Sequence, residues 1–256
     1  MNCESTAFPR LHALGDCAWI VEFGSVIDAS THARVLGLAE ALAAARARGL
    51  WRDVVEWVPA YTTLTVHFDA AAQADAAMDA ADALLALARD AAPRAQPGRR
   101  WRLPVCFDAD LAPDLEDLAH AQGLTSQQVV GLMTGTPFRV YMLGFQPGFP
   151  YMGGLPAALE RPRRASPRAA VPERSLAVAG RMCAVYPWRS PGGWHLLGRM
   201  PLPLFDAAHG DPAWLRPGDE LRWQAVDRDR YGALERMAAA GALRREDWLD
   251  SGPRLP

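Results

Sequence analysis

The sequence contains no lysine, and all 27 of its basic side chains are arginine. That absence excludes Schiff-base chemistry and the lysine of a nucleotide-binding P-loop. Guanidinium groups remain able to clamp a carboxylate or phosphate through paired hydrogen bonds. A genome biased toward arginine codons would leave the same composition. An excess of either charge sign is also missing. The net charge is −2, so there is no bulk electrostatic case for nucleic acid or anionic membrane as a partner. No apolar run reaches about eighteen residues, and no transmembrane helix is expected. The opening MNCESTAFPRLHALGD has no apolar segment behind a basic start, so no signal peptide is expected and a cytoplasmic location follows. Cysteine is scarce: Cys3, Cys17, Cys106 and Cys183 lie far apart and never as CxxC. That spacing supports neither a zinc knuckle nor a disulfide framework. The six histidines are scattered, and no metal site is expected. GxSxG, HExxH, GxGxxG after the first strand and GxxxxGK[ST] are all missing, which removes the commonest hydrolase, zincin and nucleotide signatures. Asp16, Glu56 and Asp219 read as isolated carboxylates without a sequence-local catalytic partner.

What is present is ample core material, with half of the 256 residues hydrophobic and 22% charged. The first hundred residues alternate. Cys17–Gly24 reads as a strand with Trp19, Val21 and Phe23 on one face. A helical pattern from Ser30 to Arg48 stops at Gly49. Val54–Val58 and Thr63–Phe68 read as strands around a break at Pro59-Ala60-Tyr61, an alanine-rich helix runs from Ala70 to Ala92, and Trp101–Phe107 supplies a further strand. This βαββαβ order is that of a ferredoxin-like unit. Residues 93–100 form the best linker, and whether Trp101–Phe107 closes the first domain or opens the second stays open at this point. Two short helices follow, Pro113–Gln122 and Ser126–Met133, the second behind Thr125 and Gln128 in capping-box spacing. From Arg139 the texture becomes short apolar strands between glycine- and proline-rich loops, as in an all-β barrel or sandwich. Helix returns from Tyr231 to Trp248. The expected division is an α+β chain with domains at 1–96 and 97–228 and a helical tail at 229–256.

Two segments can carry chemistry. GFQPGFPYMGGL (Gly144–Leu155) interleaves glycine and proline with Phe145, Phe149 and Tyr151. Glycine allows close backbone approach and proline lowers the entropy lost in ordering the loop. The pattern suits either a preorganised pocket for a small cyclic group or a tight barrel corner with aromatic anchors. YPWRSPGGWHLLGRMP (Tyr186–Pro201) holds a strong turn in which Ser190 and backbone N–H groups can receive an oxyanion, with Arg199 available to pair with it. A hairpin turn with a surface arginine reads equally well. His195 is the tempting general base, but it and Trp194 are neighbours in a strand and point to opposite faces.

The succession LGDCAWIVEFG, VPAYTTLTVHFD, RVYMLGFQPGFPYMGGL, VPERSLAVAGRMCAVYP, SPGGWHLLGRMP and LRPGDELRW resembles one family from about Leu14 to Val226. It is the family of the 5-oxoprolinase B subunit, the sporulation kinase inhibitor and allophanate hydrolase subunit 1, similar also to half of the carboxyltransferase domain of urea amidolyase. The resemblance implies a ferredoxin-like N-terminal part, a cyclophilin-like β-barrel and a working cleft shared with a C subunit. With an A subunit, the complex would use ATP and Mg2+ to open 5-oxoproline, a small cyclic amide, to glutamate; this chain alone is not expected to hold the nucleotide. Carried over residue by residue, Phe145, Pro147, Gly148, Phe149 and Tyr151 match the first motif. Ser190, Pro191, Gly192, Gly193, Trp194, Gly198, Arg199 and Pro201 match the second, and Pro172, Ala179 and Gly180 the segment between. Arg199, Ser190 and His195 are thereby the expected catalytic residues. Phe145, Pro147, Gly148, Phe149, Tyr151, Gly192, Gly193 and Trp194 are the expected substrate-binding ones. The chain departs from the family pattern at Met133, Arg174, Met182 and Met200, where histidine, glycine, a polar residue and threonine are usual. If the methionines line the cleft, it is drier than the family's. Inhibition of a sensor histidine kinase and a role on urea-derived allophanate are the alternative functions.

Overall fold

The computed structural model describes residues 8–69 and 74–250; Cys3 and the start of the expected second helix lie outside them. The chain divides into two compact units, Met1–Pro97 and Gly98–Pro256.

In the first unit β1 (Arg10–Ala13) and β2 (Ala18–Glu22) precede α1 (Ala29–Ala47), β3 (Val54–Ala60), β4 (Thr63–Phe68) and α2 (Ala74–Asp90). The Asp28 carboxylate caps α1 by accepting from the Ser30 and Thr31 N–H groups at 2.8 Å. Hydrogen bonds from the Ser30 hydroxyl and the Thr31 amide hold its pKa at about 2. Gly49, at φ +83°, ends the helix in the left-handed conformation that glycine enters freely. The sheet order is β1-β2-β4-β3, antiparallel throughout. Two details differ from the sequence reading. Pro59 and Ala60 continue β3 and do not form the turn, which proline tolerates because β3 is an edge strand. The strand beside β2 is Arg10–Ala13, not Trp101–Phe107, so the order within this unit is ββαββα. Val21, Phe23, Val35, Leu38, Leu42, Leu64, Val66 and Leu84 form its core.

Trp101–Phe107 instead contributes β5 (Arg100–Val105) to the second unit. Helices α3 (Leu115–Ala121) and α4 (Ser126–Gly135) follow, and the Thr125–Gln128 capping box is formed as the spacing predicts. Next come β6 (Phe138–Leu143), β7 (Pro150–Gly153), β8 (Arg168–Val171), β9 (Ser175–Ala179), β10 (Met182–Val185), β11 (Ser190–Gly192), β12 (His195–Arg199), β13 (Glu220–Ala225) and α5 (Arg228–Ala239). Seven strands make one sheet in the order β12-β9-β10-β7-β6-β13-β5, and β8 pairs with β11 as a separate ribbon. No helix among the described residues is long and apolar enough to cross a membrane.

The seven-stranded sheet is a nearly closed barrel. Its end strands meet where the Cys106 N–H donates to the Arg199 carbonyl and the Arg199 N–H to the Cys106 carbonyl, both at 2.9 Å. Gly198 makes this approach possible: a Cβ there would lie 2.7 Å from Val105 Cγ1 and 2.9 Å from the Cys106 oxygen. At its other end β5 is pinned by Asp219. The buried carboxylate of Asp219 accepts from the Arg99 guanidinium at 2.7 Å and from Trp101 Nε1, the Arg99 N–H and the Arg216 N–H at 3.0 Å. These bonds set the start of the parallel β5–β13 pair. The core inside runs from Trp101, Leu103 and Val105 across Phe138, Val140, Leu176, Val178, Leu197 and Trp223 and takes in Leu118, Val129 and Met133 of the helices.

Gly198→Ala is therefore expected to wedge the seam apart and cost about 1–3 kcal/mol. Thermal unfolding checks this, and an unchanged Tm would show that the two strands tolerate separation.

Candidate functional site

Alternation along β9, β10 and β12 sends residues to two faces. Leu176, Val178, Cys183, Val185 and Leu197 enter the main core, whereas Ala177, Ala179, Ala184, Trp194 and Leu196 belong to a second cluster. The three alanines make a shallow floor. On it pack Phe149, Tyr186 and Trp194, all buried, with Tyr151 half-buried at the margin. The Phe149 ring lies 4.8 Å from Tyr151, 5.1 Å edge-on from Tyr186 and 6.2 Å edge-on from Trp194. The two sequence motifs thus converge on one aromatic cluster. Burial raises the phenol pKa values of Tyr186 and Tyr151, against the pull of Arg163, so both are neutral hydrogen-bonding groups at physiological pH.

The motif residues do not all face this cluster. Gly144–Leu155 takes in the turn that joins β6 to β7 and β7 itself, and the turn is strained. Phe145 has φ +67°, is 64% exposed and stacks edge-on to Phe149 at 5.4 Å. The Pro147 carbonyl accepts from Trp188 Nε1 at 3.2 Å, and Gly148 lies against Phe205. Gly192 packs on the Tyr186 hydroxyl so closely that a side chain would collide, while a Cβ on Gly193 would find only ordinary contacts. Ser190 is buried, and its hydroxyl has no hydrogen-bond partner among the described residues. His195 points away from Trp194, as strand geometry requires, and its Nε2 donates to the Pro162 carbonyl at 2.9 Å. Among the described residues no hydrogen bond joins Arg199 to Ser190, and Arg199 Nε, like the Ser190 hydroxyl, is buried without a partner. The Arg199 backbone forms the barrel seam, and its charge is felt by Tyr231 of α5, whose hydroxyl pKa burial pushes upward. The buried thiols of Cys106 and Cys183 are likewise raised by burial, which disfavours the thiolate.

Four charged residues join the site that the sequence reading passed over. Asp114, buried at the start of α3, accepts from Arg168 at 2.6 Å, from the Leu196 N–H at 2.7 Å and from Arg164 at 3.1 Å. Its own N–H donates to the Leu196 carbonyl at 3.0 Å. The Arg164 N–H donates to the Gly193 carbonyl at 2.8 Å, and the Arg163 guanidinium sits 5.8 Å from the centre of the Trp194 ring. Among the described residues Arg163 has no carboxylate partner. Segment 162–168 is thereby latched to 193–196. Arg168 lies opposite Gly192, as Val171 lies opposite Ser190, and its Nη1 is buried without a hydrogen-bond partner among the described residues. Four arginines in the eight residues Arg161–Arg168 were the available signal.

Comparison with known proteins agrees with this architecture. Residues 9–215 match the family described as carboxyltransferase domain, subdomain C and D. The chain is 33% identical over 239 residues to the B subunit of 5-oxoprolinase from Bacillus subtilis, covering 88% of this chain and 96% of that one. The chain belongs to this family. It is also 34% identical to the crystal structure of TTHA0988, with a TM-score of 0.69, over 82% of this chain but only 40% of that longer one. The urea carboxylase of Kluyveromyces lactis shares the fold, with a TM-score of 0.74 at 17% identity, over 94% of this chain and 23% of that one.

The four positions expected to depart from the family pattern separate physically. Met133 and Met200 are fully buried in the main core and line no cleft. Met182 alone packs beside the aromatic cluster, so any drying of the site is confined to that position. Arg174 occupies φ +61°, the left-handed region that glycine enters most freely and where the resemblance leads one to expect glycine. Its side chain compensates by donating to the Pro201 carbonyl and to Glu173, both at 2.9 Å, and to Glu235 at 3.3 Å.

Asp114 should leave a pH signature. Burial raises its pKa, but bonds from Arg168, Leu196 and Arg164 together outweigh that and lower it below the ordinary 3.8. A depressed carboxylate stabilises the fold fully above the ordinary value and progressively less as pH falls through the depressed one. Asp114→Ala is expected to cost about 3–5 kcal/mol at neutral pH. Chemical denaturation at several pH values checks that the gap from wild type narrows only below the ordinary carboxylate range.

Proposed function

We propose that this chain is the B subunit of an ATP-dependent 5-oxoprolinase, converting 5-oxo-L-proline to L-glutamate in a cleft completed by the C subunit. The observation that carries this reading is the convergence of both motifs on an aromatic platform beside two buried, unpaired polar groups, Ser190 Oγ and Arg168 Nη1. The name of the Bacillus subtilis relative supports the substrate, and the longer chains of TTHA0988 and urea carboxylase support a unit that works attached to others. Phe145 and Trp188, 64% and 41% exposed at the rim, favour a partner surface.

The chemistry suits the inventory. A five-membered lactam is held inert by amide resonance. Phosphoryl transfer from ATP to its amide oxygen releases ADP and leaves the carbon electrophilic. One water adds there, the ring C–N bond breaks to leave an acyl phosphate, and a second water releases phosphate and glutamate. Such a sequence needs preorganised donors for developing negative charge more than a strong nucleophile. Ser190 and Arg168 supply donors, with Arg163 at the margin, and Tyr151 and Trp194 offer ring faces to the lactam. Arg199 and His195 act through the seam and the 162–168 latch. ATP and its Mg2+ are assigned to the complex as a whole.

The test is glutamate release from 5-oxoproline by the purified chain mixed with the C and A subunits. Release is expected only with ATP and all partners present, and its absence from the full mixture refutes the reading. In that mixture Ser190→Ala is expected to lower kcat/KM by about 10²–10³ with Tm unchanged. A rate within about twofold of wild type would remove Ser190 from the mechanism.

A further inference from the structure

The second unit contains a cavity of about 290 Å³ whose lining shares no residue with the aromatic cluster. Its walls include Glu173, Arg174, Trp188, Phe205, Glu235 and Ala239. Trp188 and Phe205 meet edge to face at 6.3 Å, and the bond from Trp188 Nε1 to the Pro147 carbonyl fixes the indole. The volume is near the lower end of ligand pockets, about 300–1,000 Å³, so it suits a small molecule.

The charges select which one. Arg174 is already committed: one guanidinium nitrogen donates to the Pro201 carbonyl and the other to both Glu173 and Glu235. It has little left for an anion, and two carboxylates would repel one. Glu173 and Glu235 each engage Arg174 through Oε1, where Glu235 also receives the Tyr231 hydroxyl. Among the described residues Oε2 of each has no hydrogen-bond partner. Among the lining residues two carboxylates stand against one guanidinium, an excess of one negative charge next to two aromatic rings; Arg199, whose charge reaches Tyr231, is not part of the lining. Excess negative charge and ring faces both favour a cation, and the apolar walls favour a hydrocarbon stem.

We propose that this cavity binds a small organic monocation, a guanidinium or primary ammonium on a short apolar chain. This site is distinct in chemistry from the aromatic cluster and does not rest on the proposed reaction. It also gives Arg174 a second consequence: it sets the cavity's charge, because without it two carboxylates would stand unbalanced.

N-butylguanidine serves as the probe, with N-butylurea as its neutral counterpart, each titrated calorimetrically into the purified full chain. N-butylguanidine is expected to bind with one-to-one stoichiometry and N-butylurea not to bind. Glu235→Gln and Trp188→Ala are each expected to weaken N-butylguanidine by about fivefold or more. The double change Glu173→Gln/Glu235→Gln, which leaves Arg174 as the excess charge, should abolish binding, while Tm shows that each variant is folded. Equal binding of the neutral compound, unchanged affinity in the double variant, or no N-butylguanidine binding up to about 10 mM overturns the proposal.

Discussion

The site's geometry depends on two hydrogen bonds between the end strands of a sheet. Seven strands in the order β12-β9-β10-β7-β6-β13-β5 leave β12 and β5 as open edges, each a row of unpaired backbone groups. The reciprocal bonds between Cys106 and Arg199 join them, and they form only because Gly198 presents no side chain to Val105 and Cys106. With β12 fixed at Arg199 by the seam and at Leu196 by Asp114, the strand has no freedom to slide or twist. Trp194 and His195 are therefore placed by barrel closure, before any contact with a ligand. Arg199 belongs to this frame: its motif position marks a strand end whose backbone must meet β5.

One-residue alternation then decides what each motif residue does. Trp194 and Leu196 join the aromatic cluster, while Leu197 enters the main core. His195 takes the side opposite Trp194 and anchors the Pro162 carbonyl. A general base at this position would have to break that bond and turn through the sheet. The same histidine bond, with the Arg164 amide on Gly193 and the Asp114 carboxylate on Arg168 and Arg164, holds segment 162–168 against the second motif. The platform is thus rigid on the side where Ser190 and Arg168 keep unsatisfied donors, the arrangement that makes charge stabilisation effective.

Much of this was legible in the chain because period-two alternation and turn residues are local signals. The strands around Leu176, Cys183, His195 and Leu221, both helices of the first unit and the Thr125–Gln128 cap follow from them. What escaped was non-local. Arg10–Ala13 is a short strand with two half-buried and two exposed residues, and only its pairing with β2 defines it. Trp101–Phe107 reads equally well as the end of one unit or the start of the next until its parallel partner, 120 positions from Arg100 at Glu220, is known. Asp114 looks like an ordinary helix-start aspartate, and its three donors come from 50, 54 and 82 positions away. Asp219 seemed isolated for the same reason, its partner Arg99 being 120 positions distant.

The absence of lysine ties these observations together. Asp114 and Asp219 are carboxylates sunk into the fold, and a buried charge survives only if its partner's geometry satisfies several lone pairs at once. Arginine does this with a planar fork that stays protonated across the accessible pH range. On Asp114 two arginines and a backbone amide share the two oxygens; on Asp219 one arginine side chain is joined by an indole and two amides. For Asp114, whose pKa those bonds lower, the clamp therefore weakens only from the acid side, as pH falls through the depressed value. An all-arginine composition, whatever its genomic origin, leaves this fold with clamps that neutral and mildly alkaline conditions do not loosen.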